Sequence, residues 1–173
     1  MESISKQTAD AARRRRRLNA AIRDSLRELR LQLARLNHEV GARLDLRDVD
    51  LDCLDLIERE GPLSPSVLAQ TAGIHPATVT GILDRLESAG FVTRARDSSD
   101  RRAVMVRGVR ERGVEVMRLY AGMNSAVSRI CKTYRDSQLE VVADFLRRTT
   151  TAGRVAADDL GAPASDHVPT SRD

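Results

Sequence analysis

The chain has 173 residues, with 29 Lys+Arg against 25 Asp+Glu and a formal net charge of +4: one ordinary domain's length with a mild basic excess. Hydrophobic residues at 41% and charged residues at 31% exclude the disordered and membrane classes and allow a real core. Aromatics supply only 2% and Trp is absent, so the core is aliphatic and an all-β sandwich built on large rings is excluded.

From the N-terminus, residues 1–17 form a basic arm carrying Arg13, Arg14, Arg15, Arg16 and Arg17 in one block. These are candidate phosphate contacts, with a solvated helix start as the alternative. No apolar segment of secretory length follows, and no run approaches the ~20 apolar residues of a membrane span, so a cytoplasmic protein without a membrane partner is expected. Ile22, Leu26, Leu29, Leu33, Leu36 and Val40 then recur at spacings of 4, 3, 4, 3 and 4. This is a heptad seam on a helix of roughly 18–40, within a dimerisation segment spanning 18–45, and such a seam requires a partner helix.

The middle, 46–108, is a run of short punctuated elements. Leu51, Leu54 and Ile57 define one face of a helix over 48–60, stopped by Gly61 and Pro62. Ser64 is a candidate N-cap with Pro65 at the first helical position, and Val67, Leu68 and Ala72 follow until Gly73 turns the chain. Pro76 opens the next helix, whose Val79, Ile82, Leu83 and Leu86 fall at i, i+3, i+4 and i+7, and Gly90 ends it. Helix, glycine turn and second helix match a helix-turn-helix. Residues 91–96 and 103–107 read as two strands joined by a polar turn rich in arginine. Arg94, Arg96, Arg101 and Arg102 make this a cationic hairpin, or wing.

Residues 109–157 read as further dimerisation helices. Val116, Tyr120, Met123, Val127, Ile130 and Tyr134 repeat the 4, 3, 4, 3, 4 spacing on a predicted helix near 110–134. Ser137 and Glu140 form a capping box ahead of Val141, Val142, Phe145 and Leu146. Ile22, Leu26, Leu29, Leu33, Leu36, Val127, Ile130 and Phe145 are the candidate dimer contacts. Residues 158–173 lack periodicity and contain two prolines, the pattern of a disordered tail.

The run GPLSPSVLAQTAGIHPATVTGILDRLESAGFVTRARDSSDRRAVMV, from Gly61 to Val106, closely resembles the winged helix-turn-helix of MarR-type (multiple-antibiotic-resistance regulator) transcription factors. The matching features are the G-PLS opening, the VT of the second helix, LDRLE-x-x-G, and the D-R-R wing followed by alternating valines. With the flanking helices the resemblance spans roughly residues 18–150. It implies a mainly α fold in which a winged helix-turn-helix lobe is joined to N- and C-terminal helices that form a homodimer body. There are three departures from the pattern. His75 stands where several members place an acid that pairs with a wing arginine. Gly81 stands where some place an arginine directed at DNA. Gly108 and Val109 replace a Leu-Thr that caps the next helix.

If Val79, Ile82, Leu83 and Leu86 face the core, steps of about 100° place Ala77, Gly81, Asp84 and Ser88 opposite, with Thr78, Thr80 and Arg85 on the flanks. Ala77 and Gly81 would let a groove approach closely, Thr78 and Thr80 can bond phosphates or base edges, and Arg85 can reach the backbone. Gly81 costs about 1 kcal/mol relative to Ala, which close approach would offset. Asp84 is repelled by phosphate and is expected to pair with a basic neighbour.

Cys53 and Cys131 lie far apart with no CxxC or Cys/His cluster, so neither a disulfide framework nor a zinc site is expected, and both read as packing residues rather than redox sensors. His38 could line a ligand cavity or simply be solvated. No G-x-S-x-G, P-loop, G-x-G-x-x-G or HExxH occurs, so neither an enzyme nor a cofactor is expected. The expected function is a dimeric regulator bound to an inverted-repeat operator in double-stranded DNA. It would act as a repressor released by a small aromatic or phenolic ligand, or by oxidation. A winged-helix protein-interaction module without DNA recognition is the alternative; Gly81 favours it and the arginines of the wing oppose it.

Overall fold

The structure, a computed structural model, describes residues 2–96 and 103–161. In chain order it consists of α1 (Glu2–Leu44), α2 (Asp48–Glu60), α3 (Pro65–Ala72), α4 (Pro76–Ser88), β1 (Val92–Arg96), β2 (Val104–Gly108), α5 (Arg110–Leu119), α6 (Ala121–Cys131) and α7 (Asp136–Gly161). The chain divides into two units, Met1–Tyr120 and Ala121–Asp173.

In the first unit the short helices stop where the punctuation predicts. The Ser64 Oγ accepts from the Val67 N–H at 3.3 Å with Pro65 beside it, and Gly73 closes α3 in the left-handed region at φ 66°. Only glycine adopts that conformation without steric cost. The apolar stripes of α2, α3 and α4 converge: Leu54, Ile57, Leu68, Val79, Ile82, Leu83 and Leu86 are all at most 2% exposed. Phe91, Val92 and Val106 close this core from the hairpin side. β1 and β2 pair antiparallel, with Val92 opposite Gly108 and Arg96 opposite Val104. Leu63 adds a bridge that the sequence did not signal, donating its N–H to the Val106 carbonyl at 3.1 Å and accepting from the Val106 N–H at 2.8 Å. The hairpin is thereby tied to the segment ahead of α3.

The long helices depart from expectation. α1 begins at Glu2 rather than near residue 18, because the stretch before the seam is rich in Ala and Arg, strong helix formers, with no Gly or Pro. It ends tightly. A Cβ at Gly41 would meet the Leu46 carbonyl oxygen at 2.6 Å, and Asp45 takes φ 54° to fold the chain back. The predicted 110–134 helix breaks at Tyr120, whose hydroxyl donates to the Asn37 Oδ1 on α1. α5 belongs with the lobe and not with a separate C-terminal body, since Val116, Leu119 and Tyr120 pack against the lobe core.

In the second unit α7 starts at Asp136, one residue before the predicted cap. The Ser137–Glu140 box is therefore not the cap; instead the Gln138 Oε1 accepts from the Arg135 N–H at 2.9 Å. Residues 158–161, assigned above to a tail, are the last residues of α7, since no proline interrupts the helix before Pro163. The remainder of that tail and the wing turn lie outside the described residues.

The two heptad seams split in the same way. Leu36 and Val40 pack on the lobe core, as do Val116 and Tyr120. Beyond these ends the stripes are uncovered: Ile22, Leu29 and Leu33 are 40–43% exposed, and Val127 and Ile130 are 43% and 57% exposed.

Candidate nucleic-acid interface

α4 is held by its ends and by one face. At its start the His75 Nδ1 accepts from the Ala77 N–H at 3.2 Å, a capping contact made by the residue that replaces the family's acid. Along its length Val79, Ile82, Leu83 and Leu86 are buried, while Ala77, Thr78, Thr80, Asp84 and Ser88 are exposed and Gly81 is half-buried. The face derived from 100° steps is thus the face presented to solvent. A Cβ at Gly81 would meet only the Arg85 Nη1, at an ordinary 3.6 Å. No packing among the described residues requires glycine there.

The arginines fall into two groups. Arg85, expected to reach a phosphate, is instead committed to α2: its Nε donates to Asp50 Oδ2 at 3.1 Å and its Nη2 to Asp50 Oδ1 at 2.5 Å. Asp50 is fully buried and also accepts from the Arg47 N–H at 3.0 Å, capping α2. These hydrogen bonds raise the guanidinium's already high pKa further. A buried carboxylate needs such a bidentate partner, because its desolvation is otherwise uncompensated. Arg94 is likewise occupied. Its Nη2 lies 2.7 Å from Asp84 Oδ1, its Nη1 lies 3.2 Å from Glu87 Oε2, and its N–H donates to Glu87 at 3.3 Å. Asp84 therefore has its basic neighbour, and the same contact clamps β1 to the second half of α4. Arg96 is exposed at the end of β1 next to the turn, and Arg101 and Arg102 lie outside the described residues.

Asp50 and Glu87 were not singled out from the sequence. The only signal for Asp50 was its place three residues after Arg47 at a helix start, where an acid completes a cap. At the lobe's edge Arg112 stacks over the Phe91 ring, 4.0 Å from its centroid. The Cys53 thiol is fully buried, and desolvation raises its pKa to about 11, with Asp50 and Asp52 adding to the rise. It is a packing group with almost no thiolate at neutral pH. Cys131 is half-buried on α6. His38 is exposed, its Nδ1 3.4 Å from Asp48 Oδ1. Arg13 to Arg17 are exposed on α1. No described helix is long and apolar enough to cross a membrane.

Comparison with known proteins places this lobe. The MarR family model matches residues 46–104. The uncharacterized HTH-type transcriptional regulator YcgE of Bacillus subtilis is 30% identical over 112 residues, which cover 64% of this chain and 73% of that protein. The B. subtilis HTH-type transcriptional repressor YetL is 30% identical over 84 residues, 49% of this chain and 50% of that one. Among solved structures, the transcriptional regulator Tm0710 of Thermotoga maritima matches with a TM-score of 0.53 and 26% identity, over 80% of this chain and 95% of that one. A MarR family protein from Bacillus stearothermophilus shares the fold with a TM-score of 0.62 at 20% identity, over 80% of this chain and 96% of that one. The punctuated helices, the wing and the match to YcgE agree: the chain belongs to the MarR family of winged helix-turn-helix, DNA-binding transcription regulators, which are not enzymes.

Proposed function

We propose that the chain represses transcription as a homodimer, placing two copies of α4 in successive major grooves of an inverted-repeat operator. The observation that carries this is the solvent face of α4. It combines small residues, Ala77 and Gly81, with the hydroxyls of Thr78 and Thr80, and no packing among the described residues calls for glycine at 81. Such a face suits close approach to base edges. Arg96, Arg101 and Arg102 of the wing supply contacts to phosphates or the minor groove. Arg85 and Arg94 take a different role from the one expected of them. They fix α4 on α2 and β1 on α4, so that helix and wing meet DNA as one rigid reader.

Dimerisation is supported by the uncovered seams, since Ile22, Leu29, Leu33, Val127 and Ile130 would otherwise leave apolar stripes in water. Repression is supported by YetL, which is named a repressor. Release by a small aromatic or phenolic ligand rests on the family resemblance. If an oxidant acts instead, Cys131 is its target rather than the buried Cys53.

Footprinting on the DNA upstream of the protein's own gene tests this directly. Protection of an inverted repeat with half-sites about one helical turn apart is expected. Protection of a single asymmetric half-site would overturn the dimeric arrangement.

A further inference from the structure

The densest charge among the described residues lies far from α4, near the start of α1. Arg13 to Arg17 are five consecutive exposed arginines, outside the region matched by the family model. α1 as a whole carries eleven Lys+Arg against five Asp+Glu, a net +6. The whole chain is only +4, so everything outside α1 is net −2. Other exposed arginines find local acids: Arg27 pairs with Asp24, Arg59 with Asp55, and Arg147 and Arg148 with Asp144. Among the described residues none of the five is in an ion pair. Arginines at i, i+3 and i+4 on one helix repel, so the block strains its own helix unless a polyanion neutralises it.

The charge arrangement favours a duplex over a lipid surface. Duplex DNA carries one negative charge per about 1.7 Å of axis, so even the arginines on one side of the helix find phosphates within reach. At about 100° per residue the five side chains sweep the whole circumference. A helix with cations at every azimuth has no apolar face to lay in a lipid interface, and its neighbours Ala11, Ala12, Ala20 and Ala21 are small. Its length also separates it from the lobe. From Arg15 to the end of α1 at Leu44 the helix spans about 44 Å.

We propose that Arg13 to Arg17 form a second DNA-binding element, a sequence-independent contact with duplex phosphates lying outside the bases read by α4. This rests on the chain's DNA binding but not on the operator arrangement proposed above. Because the cations point all round the helix, two or three of the five can meet one duplex at a time.

The test uses the full chain carrying Arg13→Gln, Arg14→Gln, Arg15→Gln, Arg16→Gln and Arg17→Gln together; Gln matches Arg as a helix former, so α1 is kept. Binding is titrated against salt on a mixed-sequence duplex of about 40 base pairs, and on the operator trimmed to the base pairs still protected by the five-Gln variant. On the mixed duplex the slope of log K against log salt should fall by about 2 to 3 for each protomer bound, and affinity at low salt by about tenfold or more. On the trimmed operator the change should be small. The matching five Arg→Lys substitutions should restore both quantities. An unchanged slope on the mixed duplex overturns the proposal, and so does a Lys variant as weak as the Gln variant. Loss confined to binding of phosphatidylserine vesicles overturns it in favour of a membrane. Arginine-dependent binding to the mixed duplex without any protected inverted repeat would sustain this element while the operator arrangement fails.

Discussion

The lobe and the long helices carry the same kind of apolar periodicity and meet opposite fates. In α4, Val79, Ile82, Leu83 and Leu86 are at most 1% exposed because α2, α3 and the hairpin surround them. In α1, Ile22, Leu29 and Leu33 keep an equally regular stripe and remain 40–43% exposed. The crossover lies within α1, beside Leu36 and Val40, and at the break between α5 and α6, after Val116 and Tyr120, where each stripe leaves the lobe core. A hydrophobic pattern states that a face will be buried; it does not state by which chain.

The largest expected effect falls on the uncovered stripe. Leu29→Glu with Leu33→Glu keeps strong helix formers in α1 but puts four charges into the proposed two-fold interface. The dimer's Kd should rise at least ~1,000-fold, about 4 kcal/mol, while the lobe's unfolding midpoint stays put. Sedimentation against concentration measures the first and urea denaturation the second. A dimer of unchanged affinity would show that another surface joins the protomers. Within the lobe the opposite split is expected: Leu86→Ala should cost about 2–5 kcal/mol of stability without exposing the seams.

Next comes the pair that joins the reading helix to α2. Arg85→Ala leaves Asp50 buried with only the Arg47 N–H. Breaking a buried pair costs about 3–5 kcal/mol, and here the loss should be nearer about 2 because the Arg85 side chain is 38% exposed and water can follow. Asp50→Leu together with Arg85→Met should recover most of it. A double variant no more stable than Arg85→Ala in urea would mean that the charges themselves, and not the burial of an unpaired one, hold α4.

The contrast also explains what was legible from sequence. α2, α3 and α4 were bounded closely because Gly61-Pro62, Ser64-Pro65, Gly73 and Pro76 act locally, through fixed φ, missing N–H groups and caps. α1, α6 and α7 lack such marks, so their extents were missed, and the break at Tyr120 goes with a hydrogen bond to Asn37, 83 residues away. The α4 surface was legible because burial of four residues fixes the azimuth of the rest. The partners of Arg85 and Arg94 were not. A long, flexible side chain chooses between solvent and a carboxylate by tertiary geometry, and Asp50 is 35 residues from Arg85.

The smallest expected effects separate the two sides of the lobe's own reading surface. Thr80 is exposed on α4, on the flank of the face proposed to meet the groove, and Arg96 is exposed at the end of β1 beside the turn. A hydroxyl at a base edge distinguishes sequences, whereas a cation beside the backbone does not. Thr80→Ala should therefore weaken operator binding by about 1 kcal/mol and leave binding to scrambled duplex unchanged. Arg96→Ala should weaken both about equally and lower the slope of log K against log salt by about 1 for each protomer bound. Titrating both variants on both duplexes at several salt concentrations measures the difference. Arg94→Ala supplies the control, because its side chain pairs with Asp84 and Glu87. Its loss should disturb the hairpin and specificity together rather than remove one phosphate contact. If Thr80→Ala instead reduced general affinity and Arg96→Ala only discrimination, the hairpin and not α4 would be the element that reads bases.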